Sequence, residues 1–145
     1  MDMDYKLFLI PIIILVLNQI VKLVIEWIKG DLGWSRLFGY GGMPSTHGAV
    51  VTSLCYTIGY YQGLKSPTFA IVLVMSLLIL RDAWGIRWQL GYHGQVLNRL
   101  IKELPDQKEY AFPILKEKFG HTKLEVLVGI IFGFLSTVLL VYILN

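Results

Sequence analysis

Long apolar blocks, uncharged over most of their length, alternate with short polar segments along this chain. The four longest blocks predict helices near 7–28, 46–64, 67–91 and 121–144. Since about 20 apolar residues cross a bilayer as a helix, each block is long enough to be a membrane-spanning helix. Asp2 and Asp4 at the start of the chain contrast with the basic head of a cleavable signal peptide. We therefore expect the first helix to be retained.

The pattern changes between the third and fourth blocks. Over residues 93–104 the apolar residues fall on one face of a helix, with Arg99, Lys102 and Glu103 elsewhere. This predicts an amphipathic helix that lies on the membrane surface. The whole pattern predicts an all-α integral membrane bundle of about four spanning helices plus this surface helix. We expect one membrane-embedded domain over residues 1–145.

Composition narrows the class of protein. Of the 145 residues, 55% are hydrophobic and 16% charged, and the mean hydropathy of +0.61 argues against a soluble domain. The single cysteine, Cys55, excludes a disulfide within the chain and a cysteine-rich zinc site. The net charge is +3, but the basic residues lie between apolar blocks. The expected partner is therefore the lipid bilayer, and not nucleic acid.

Four alternating spans would bring most of the ionisable residues to one end of the bundle. Residues in this group are Lys22, Lys29, His47, Arg81, Asp82, Arg87, His121 and Glu125. Ionisable residues are costly near a membrane, so such a convergence indicates a functional site. The same end carries nearly all lysines and arginines. By the positive-inside rule we expect this end to face the cytoplasm, with both termini outside the cell membrane.

A glycine-rich loop at 39–47 opens directly into the second predicted helix. Glycines and free backbone amides at a helix start form an anion site, and Ser45 and Thr46 are candidate caps. Nearby cations add donors for a phosphate, with one arginine arriving from the third predicted helix. The predicted phosphate-binding residues are Lys29, Arg36, Ser45, Thr46 and Arg87.

Two histidines could supply the chemistry. His121 and Glu125 are four residues apart on a helix, so the carboxylate can orient the imidazole and stabilise its cation. His47 would face this pair across the bundle. One imidazole that attacks phosphorus and another that protonates the leaving oxygen suffice for phosphoryl transfer with no metal or cofactor.

Structural roles compete with these assignments. Taken alone, a histidine at a membrane end is more often structural, and the functional interpretation depends on the group as a whole. Asp82 is at least as well suited to neutralise a neighbouring cation as to take part in chemistry. Lys22 and Asp82 are therefore assigned as supporting residues.

Three segments of this chain resemble motifs of the type 2 phosphatidic acid phosphatases. These segments are Lys29 separated by six residues from Arg36-Leu37, Pro44-Ser45-Thr46-His47, and His121 with Glu125. The sequence is most similar to the divergent membrane branch of this superfamily, which is also related to vanadium-dependent haloperoxidases. The resemblance implies that Lys29 and Arg36 hold phosphate, His47 is the general acid, His121 is the nucleophile and Glu125 orients it.

The chain departs from the family pattern at one important position. The arginine expected six residues before the nucleophilic histidine falls on Leu115. Its role must pass to Arg87, Lys116 or Lys118, or be lost. The leading proline of the family motif is also absent.

The leading hypothesis is a metal-independent phosphatase, a phosphoric monoester hydrolase, that acts on a membrane lipid phosphate or pyrophosphate through a phosphohistidine. The alternative is a noncatalytic binder or translocator of lipid phosphates. A purely structural membrane protein would not explain the ionisable groups at one end. Phosphatidic acid, phosphatidylglycerol phosphate and polyprenyl phosphates are all candidate substrates. Gly129 and Gly133 could pack within the chain or in a homo-oligomer.

Overall fold

The described part of the chain is built from helices. A computed structural model describes residues 3–28, 30, 42–104, 112–115, 117 and 120–145. Within these ranges it contains five helices and no strand. The helices are α1 (Met3–Ile28), α2 (Thr46–Gln62), α3 (Pro67–Trp84), α4 (Ile86–Glu103) and α5 (Lys123–Leu144). The predicted all-α helical bundle is confirmed.

Helix α2 is the centre of the bundle and packs against α1, α3 and α5. Its backbone touches that of α5 through small residues. A Cβ at Gly48 would lie 2.7 Å from the Val126 carbonyl oxygen, and one at Gly129 or Gly133 would collide with the backbone at Ser45 or Ala49. Gly129 and Gly133 therefore pack within the chain, with the close helix approach that small residues permit in lipid.

The apolar surface suits a bilayer. Three helical stretches are long and apolar enough to cross a membrane: Tyr5–Ile28, Pro67–Glu103 and Lys123–Leu144. Helix α2 has 17 residues, or about 26 Å at the usual rise, which is near the lower limit for a crossing. A fourth crossing by α2 stays a prediction. Helix α3 exposes large apolar side chains such as Ile71, Val74 and Leu78, as expected of a lipid-facing helix.

Two predicted boundaries were wrong. The helix predicted over 67–91 ends at Trp84, and the surface helix predicted from 93 begins at Ile86. Gly85 separates them, because glycine is a poor helix former and because the segment before α5 packs at this point. A Cβ at Gly120 would lie 2.7 Å from the Trp88 nitrogen. Arg87 consequently belongs to amphipathic helix α4 and not to the preceding helix.

A polar cluster joins the helices at the end opposite the histidines. Lys6 Nζ donates to the Leu144 carbonyl and to Asn145 Oδ1, both at 2.8 Å. Tyr61 donates its hydroxyl to the same Asn145 oxygen at 3.1 Å. The start of α1 and the ends of α2 and α5 thus share one end of the bundle, which leaves the end of α1 and the starts of α2 and α5 at the other.

Candidate active site

The structure brings His47 and His121 together. Their ring centroids are 5.8 Å apart and the ring planes are inclined by 66°. His47 is the second residue of α2, and His121 lies in the turn before α5. The backbone N–H of Ser45 donates to the Glu125 carbonyl at 3.1 Å, which ties the two helix starts to each other. The close α2–α5 contact therefore sets the spacing of the two imidazoles.

Glu125 is fixed by the start of α5. Its Oε2 accepts the Thr122 N–H at 2.9 Å, while Thr122 Oγ1 accepts the Glu125 N–H, so the two residues form a capping box. The same Oε2 lies 3.5 Å from Nδ1 of His121. Because Nδ1 is turned toward this carboxylate, Nε2 is the ring nitrogen available for chemistry.

His121 is held at its backbone and is largely buried. Its N–H donates to the Ala83 carbonyl at 3.1 Å, and the residue is 6% exposed. Burial lowers the pKa of His121 from its ordinary value of 6.5, and the negative charge of Glu125 opposes part of this shift. The imidazole is therefore mainly neutral at pH 7, the form that has a lone pair available for attack.

Lys22 reaches the histidines from α1. It continues a buried stripe of residues spaced by four, after Ile10, Ile14 and Asn18, and is 8% exposed. Its charge acts on both His47 and His121. Lysine at this depth in a helix bundle is rarely found without a counter-charge.

Ion pairs between described residues join Arg87 to Asp82, Arg99 to Glu103 and His121 to Glu125, and none of these includes Lys22. Glu26 lies one turn further along α1, and its Oε1 borders the same space beside Gly42 as Lys22 Nζ. Space for the Lys22 stem comes from Gly42 at φ 89°, where a Cβ would lie 2.8 Å from Lys22 Cε. A buried ammonium with no described ion pair, whose charge acts on two imidazoles, is complementary to an anion.

Arg87 and Asp82 form an ion pair across the Gly85 break. Arg87 Nε lies 2.7 Å from Asp82 Oδ2, and both side chains are partly exposed. Their charges also act on His47. Of the two roles considered for Asp82, the structure shows the pairing role. Gly120 packs against the backbone of Arg87, which places this arginine next to the segment that carries His121.

Ser45 and Thr46 are engaged within the protein. Ser45 is the N-cap of α2 and its Oγ accepts the Gly48 N–H at 3.4 Å. Asn18 Nδ2 donates to Thr46 Oγ1 at 3.0 Å and to the Pro44 carbonyl at 3.3 Å. The capping role of Ser45 is confirmed, and phosphate binding by either hydroxyl stays a prediction. Sequence reasoning missed Asn18, although a polar residue inside an apolar helix block is a signal for a buried contact.

Four of the cations predicted to bind phosphate, or to replace the missing arginine, lie outside the described residues. They are Lys29, Arg36, Lys116 and Lys118. Leu115, at the position of the expected arginine, is exposed, and its backbone is bound by Asn98. Among the residues that the structure describes, no group of three histidine, cysteine, aspartate or glutamate side chains could hold a metal ion.

Comparison with known proteins agrees with the resemblance seen in the motifs. The chain belongs to the Divergent PAP2 family, whose model matches residues 3–136. It is 33% identical over 140 residues to the uncharacterized membrane protein YuiD of Bacillus subtilis (strain 168), a match that covers 88% of this chain and 89% of that protein. No solved structure matches the chain. The protein is thus a membrane protein on a scaffold related to type 2 phosphatidic acid phosphatases.

Proposed function

We propose that this protein is a metal-independent phosphatase that hydrolyses a membrane lipid phosphate or pyrophosphate through a phosphohistidine on His121. The observation that supports this most is the pair of imidazoles with centroids 5.8 Å apart, one of them 3.5 Å from a fixed carboxylate. At this separation a single phosphate could contact both rings, because attack and proton transfer each need an approach of roughly 3 Å.

In the first step, Nε2 of neutral His121 attacks phosphorus. The N–P bond forms as the bond from phosphorus to the lipid oxygen breaks, and protonated His47 gives its proton to that oxygen. The lipid product leaves as an alcohol, or as a lipid monophosphate when the substrate is a pyrophosphate. Glu125 offsets the positive charge that develops on the His121 ring.

In the second step, water cleaves the phosphohistidine. Neutral His47 takes a proton from the water as its oxygen bonds to phosphorus and the N–P bond breaks. Inorganic phosphate leaves, and both histidines return to their starting protonation states. One residue thus serves as acid and then as base, and no divalent ion is required, because fixed cations stabilise the charge on phosphorus.

The phosphate oxygens would be held mainly by Lys22 and Arg87. Lys22 is buried, its charge acts on both histidines and no ion pair is described for it, while Arg87 is held by Asp82 next to the His121 segment. Either can replace the arginine that is missing at Leu115. Lys29, Arg36, Ser45 and Thr46 keep the phosphate-binding roles predicted from the sequence. We place the site at headgroup level on the cytoplasmic face of the cell membrane.

A noncatalytic binder or translocator of lipid phosphates is the second candidate. The observation that favours it is Leu115, whose apolar side chain stands where the family has a phosphate-binding arginine and whose backbone is occupied by Asn98. Such a protein would use the same cations to recognise a headgroup phosphate without cleaving it.

Phosphate release by the purified, detergent-solubilised protein distinguishes the two. The panel contains phosphatidic acid, phosphatidylglycerol phosphate and a polyprenyl pyrophosphate, with chelator present throughout. We expect release with the wild-type protein, none with His121→Ala, and no change with His93→Ala, since His93 is exposed on α4. Wild-type rates in His121→Ala would refute the mechanism, and lipid-phosphate binding without turnover would favour the binder.

A further inference from the structure

Asn98 joins helix α4 to the segment that leads to His121. Its Oδ1 accepts the Leu115 N–H at 2.9 Å, and its Nδ2 donates to the Leu115 carbonyl at 2.8 Å and to Glu117 Oε1 at 2.9 Å. These three contacts use the carbonyl oxygen and both amide hydrogens of the side chain. Asn98 is 8% exposed, so it is committed to this contact and not to solvent.

Only one orientation of the amide fits. With the oxygen and nitrogen exchanged, the oxygen would face the Leu115 carbonyl and the Glu117 carboxylate, and the NH₂ group would face a backbone N–H. An aspartate would keep the bond to the Leu115 N–H but would place a negative oxygen against the other two acceptors. The contact therefore requires a side-chain amide of this length.

The same segment meets α4 again nearer the site. Gly120 at φ 79° packs on the backbone of Arg87 and Trp88, and the N–H of His121 bonds to the Ala83 carbonyl. Helix α4 therefore carries Arg87 near its start and holds Leu115 and Glu117 through Asn98. A shift of the segment relative to α4 would change the distance between His121 and the phosphate-binding arginine.

We propose that Asn98 is a positioning residue for His121, an inference that rests on the proposed phosphatase function. Asn98 touches neither histidine and acts by fixing residues 115 and 117 to α4. Attack on phosphorus depends steeply on the placement of the nucleophile, and an error of about 1 Å can cost about 100-fold in rate. The backbone at Leu115, where relatives would bind phosphate with a side chain, here serves to hold the nucleophile in place.

The test compares Asn98→Ala and Asn98→Asp with the matched controls Gln95→Ala and Gln95→Glu. Gln95 is an exposed amide on the same helix. We expect kcat on the best lipid phosphate to fall about 10- to 100-fold in the Asn98 variants, with KM changed less than about threefold, because Lys22 and Arg87 remain. The Gln95 variants should match the wild-type protein.

Hydrogen–deuterium exchange of peptides that contain Leu115 gives a second readout that does not depend on activity. We expect faster exchange there in Asn98→Ala, with the melting temperature near that of the wild-type protein. Fast exchange with wild-type kcat would overturn the positioning role, and so would unchanged exchange or an increase in KM alone.

Misfolded Asn98 variants and an inactive wild-type protein are two further outcomes, and each can be told apart from failure of the positioning role. If the Asn98 variants fail to fold, Glu117→Ala removes one of the three bonds from an exposed side chain. We expect about a threefold fall in kcat, the effect of one hydrogen bond, and a wild-type kcat in this variant would overturn the inference. If the wild-type protein itself releases no phosphate from the panel, the proposed function fails and the positioning role fails with it. An active wild-type protein with unaffected Asn98 variants refutes the positioning role alone.

Discussion

The carboxylate of Glu125 is shared between a helix start and an imidazole. Oε2 accepts the Thr122 N–H at 2.9 Å and lies 3.5 Å from Nδ1 of His121. Glutamine can occupy the same position of a capping box. A Glu125→Gln variant therefore removes the negative charge and leaves the helix start capped, so it isolates the electrostatic role of this residue.

The pH dependence of turnover tests that role. The attacking form of His121 is neutral, so kcat/KM should fall as the pH drops through the pKa of His121, which burial holds below 6.5. Glu125 raises this pKa, and its replacement by glutamine should move the acid limb of the profile to lower pH. Glu103→Gln, an exposed change on α4, is the control. A shift of the limb to higher pH in Glu125→Gln would contradict the assignment.

Lys22 presents a trade-off between stability and binding. A buried ammonium with no described ion pair destabilises the fold, so Lys22→Met should leave the melting temperature unchanged or raise it. The same change should raise KM for a lipid phosphate, and the inhibition constant of inorganic phosphate, about 10- to 100-fold. Lys22→Arg should retain part of the affinity. Lys65→Met, an exposed change near the other end of the bundle, should alter neither quantity. Unchanged phosphate inhibition in Lys22→Met would remove Lys22 from the site.

At the level of helices, the sequence predicted correctly those helices whose position follows from a local run of apolar residues. Apolar blocks located α1, α2 and α5 to within a few residues, because the bilayer links the length of an apolar block to the length of the helix. The boundary between α3 and α4 was missed, because Gly85 lies within an otherwise helical stretch and the segment that packs there comes from Gly120.

The parts of the site that could not be predicted from the sequence depend on contacts between residues far apart in the chain. The charge pattern indicated that His47, His121 and Lys22 would share one end of the bundle, since Lys22 lies near the end of its helix and the two histidines lie at the starts of theirs. The contacts of Asn18 and Asn98 could not be predicted, because their partners at Thr46 and Leu115 are set by tertiary packing. Periodicity within one helix carries no information about such partners.

The close contact between α2 and α5 can be tested by adding a methyl group at Gly129. In Gly129→Ala the new methyl group would collide with Ser45, so α2 and α5 must separate and the two histidines with them. We expect a loss of about 1–3 kcal/mol in stability, as for other overpacked sites, together with a fall in kcat.

Gly59→Ala is the matched control. The atoms nearest to a Cβ at this helical glycine of α2 belong to the side chains of Leu64 and Phe69 and not to the backbone, and these side chains can move. Thermal unfolding and turnover are measured on both variants in the same detergent. Wild-type stability and turnover in Gly129→Ala would show that the helix contact does not set the site.

Over the whole molecule, the two ends of the bundle differ in charge. Among the lysines and arginines that the structure describes, Lys6 and Lys65 lie toward the end that contains Asn145, whereas Lys22, Arg81, Arg87 and Lys123 lie toward the end that contains the histidines. The anionic cytoplasmic leaflet attracts such a basic end, and the positive-inside rule acts in the same direction. The site would then open toward lipid phosphates of the inner leaflet.

Cysteine labelling tests this orientation in intact cells. In a Cys55→Ser background, which keeps a hydroxyl near Ser76, one protein carries Ser66→Cys at the start of α3 and another carries Leu104→Cys just after α4. A membrane-impermeant maleimide should label the first in intact cells and the second only after permeabilisation, because α3 crosses between them. The reverse pattern would place the histidines outside while leaving the bundle intact. Labelling of both from one side would mean that α3 does not cross the bilayer, and the charge asymmetry would then need a different explanation.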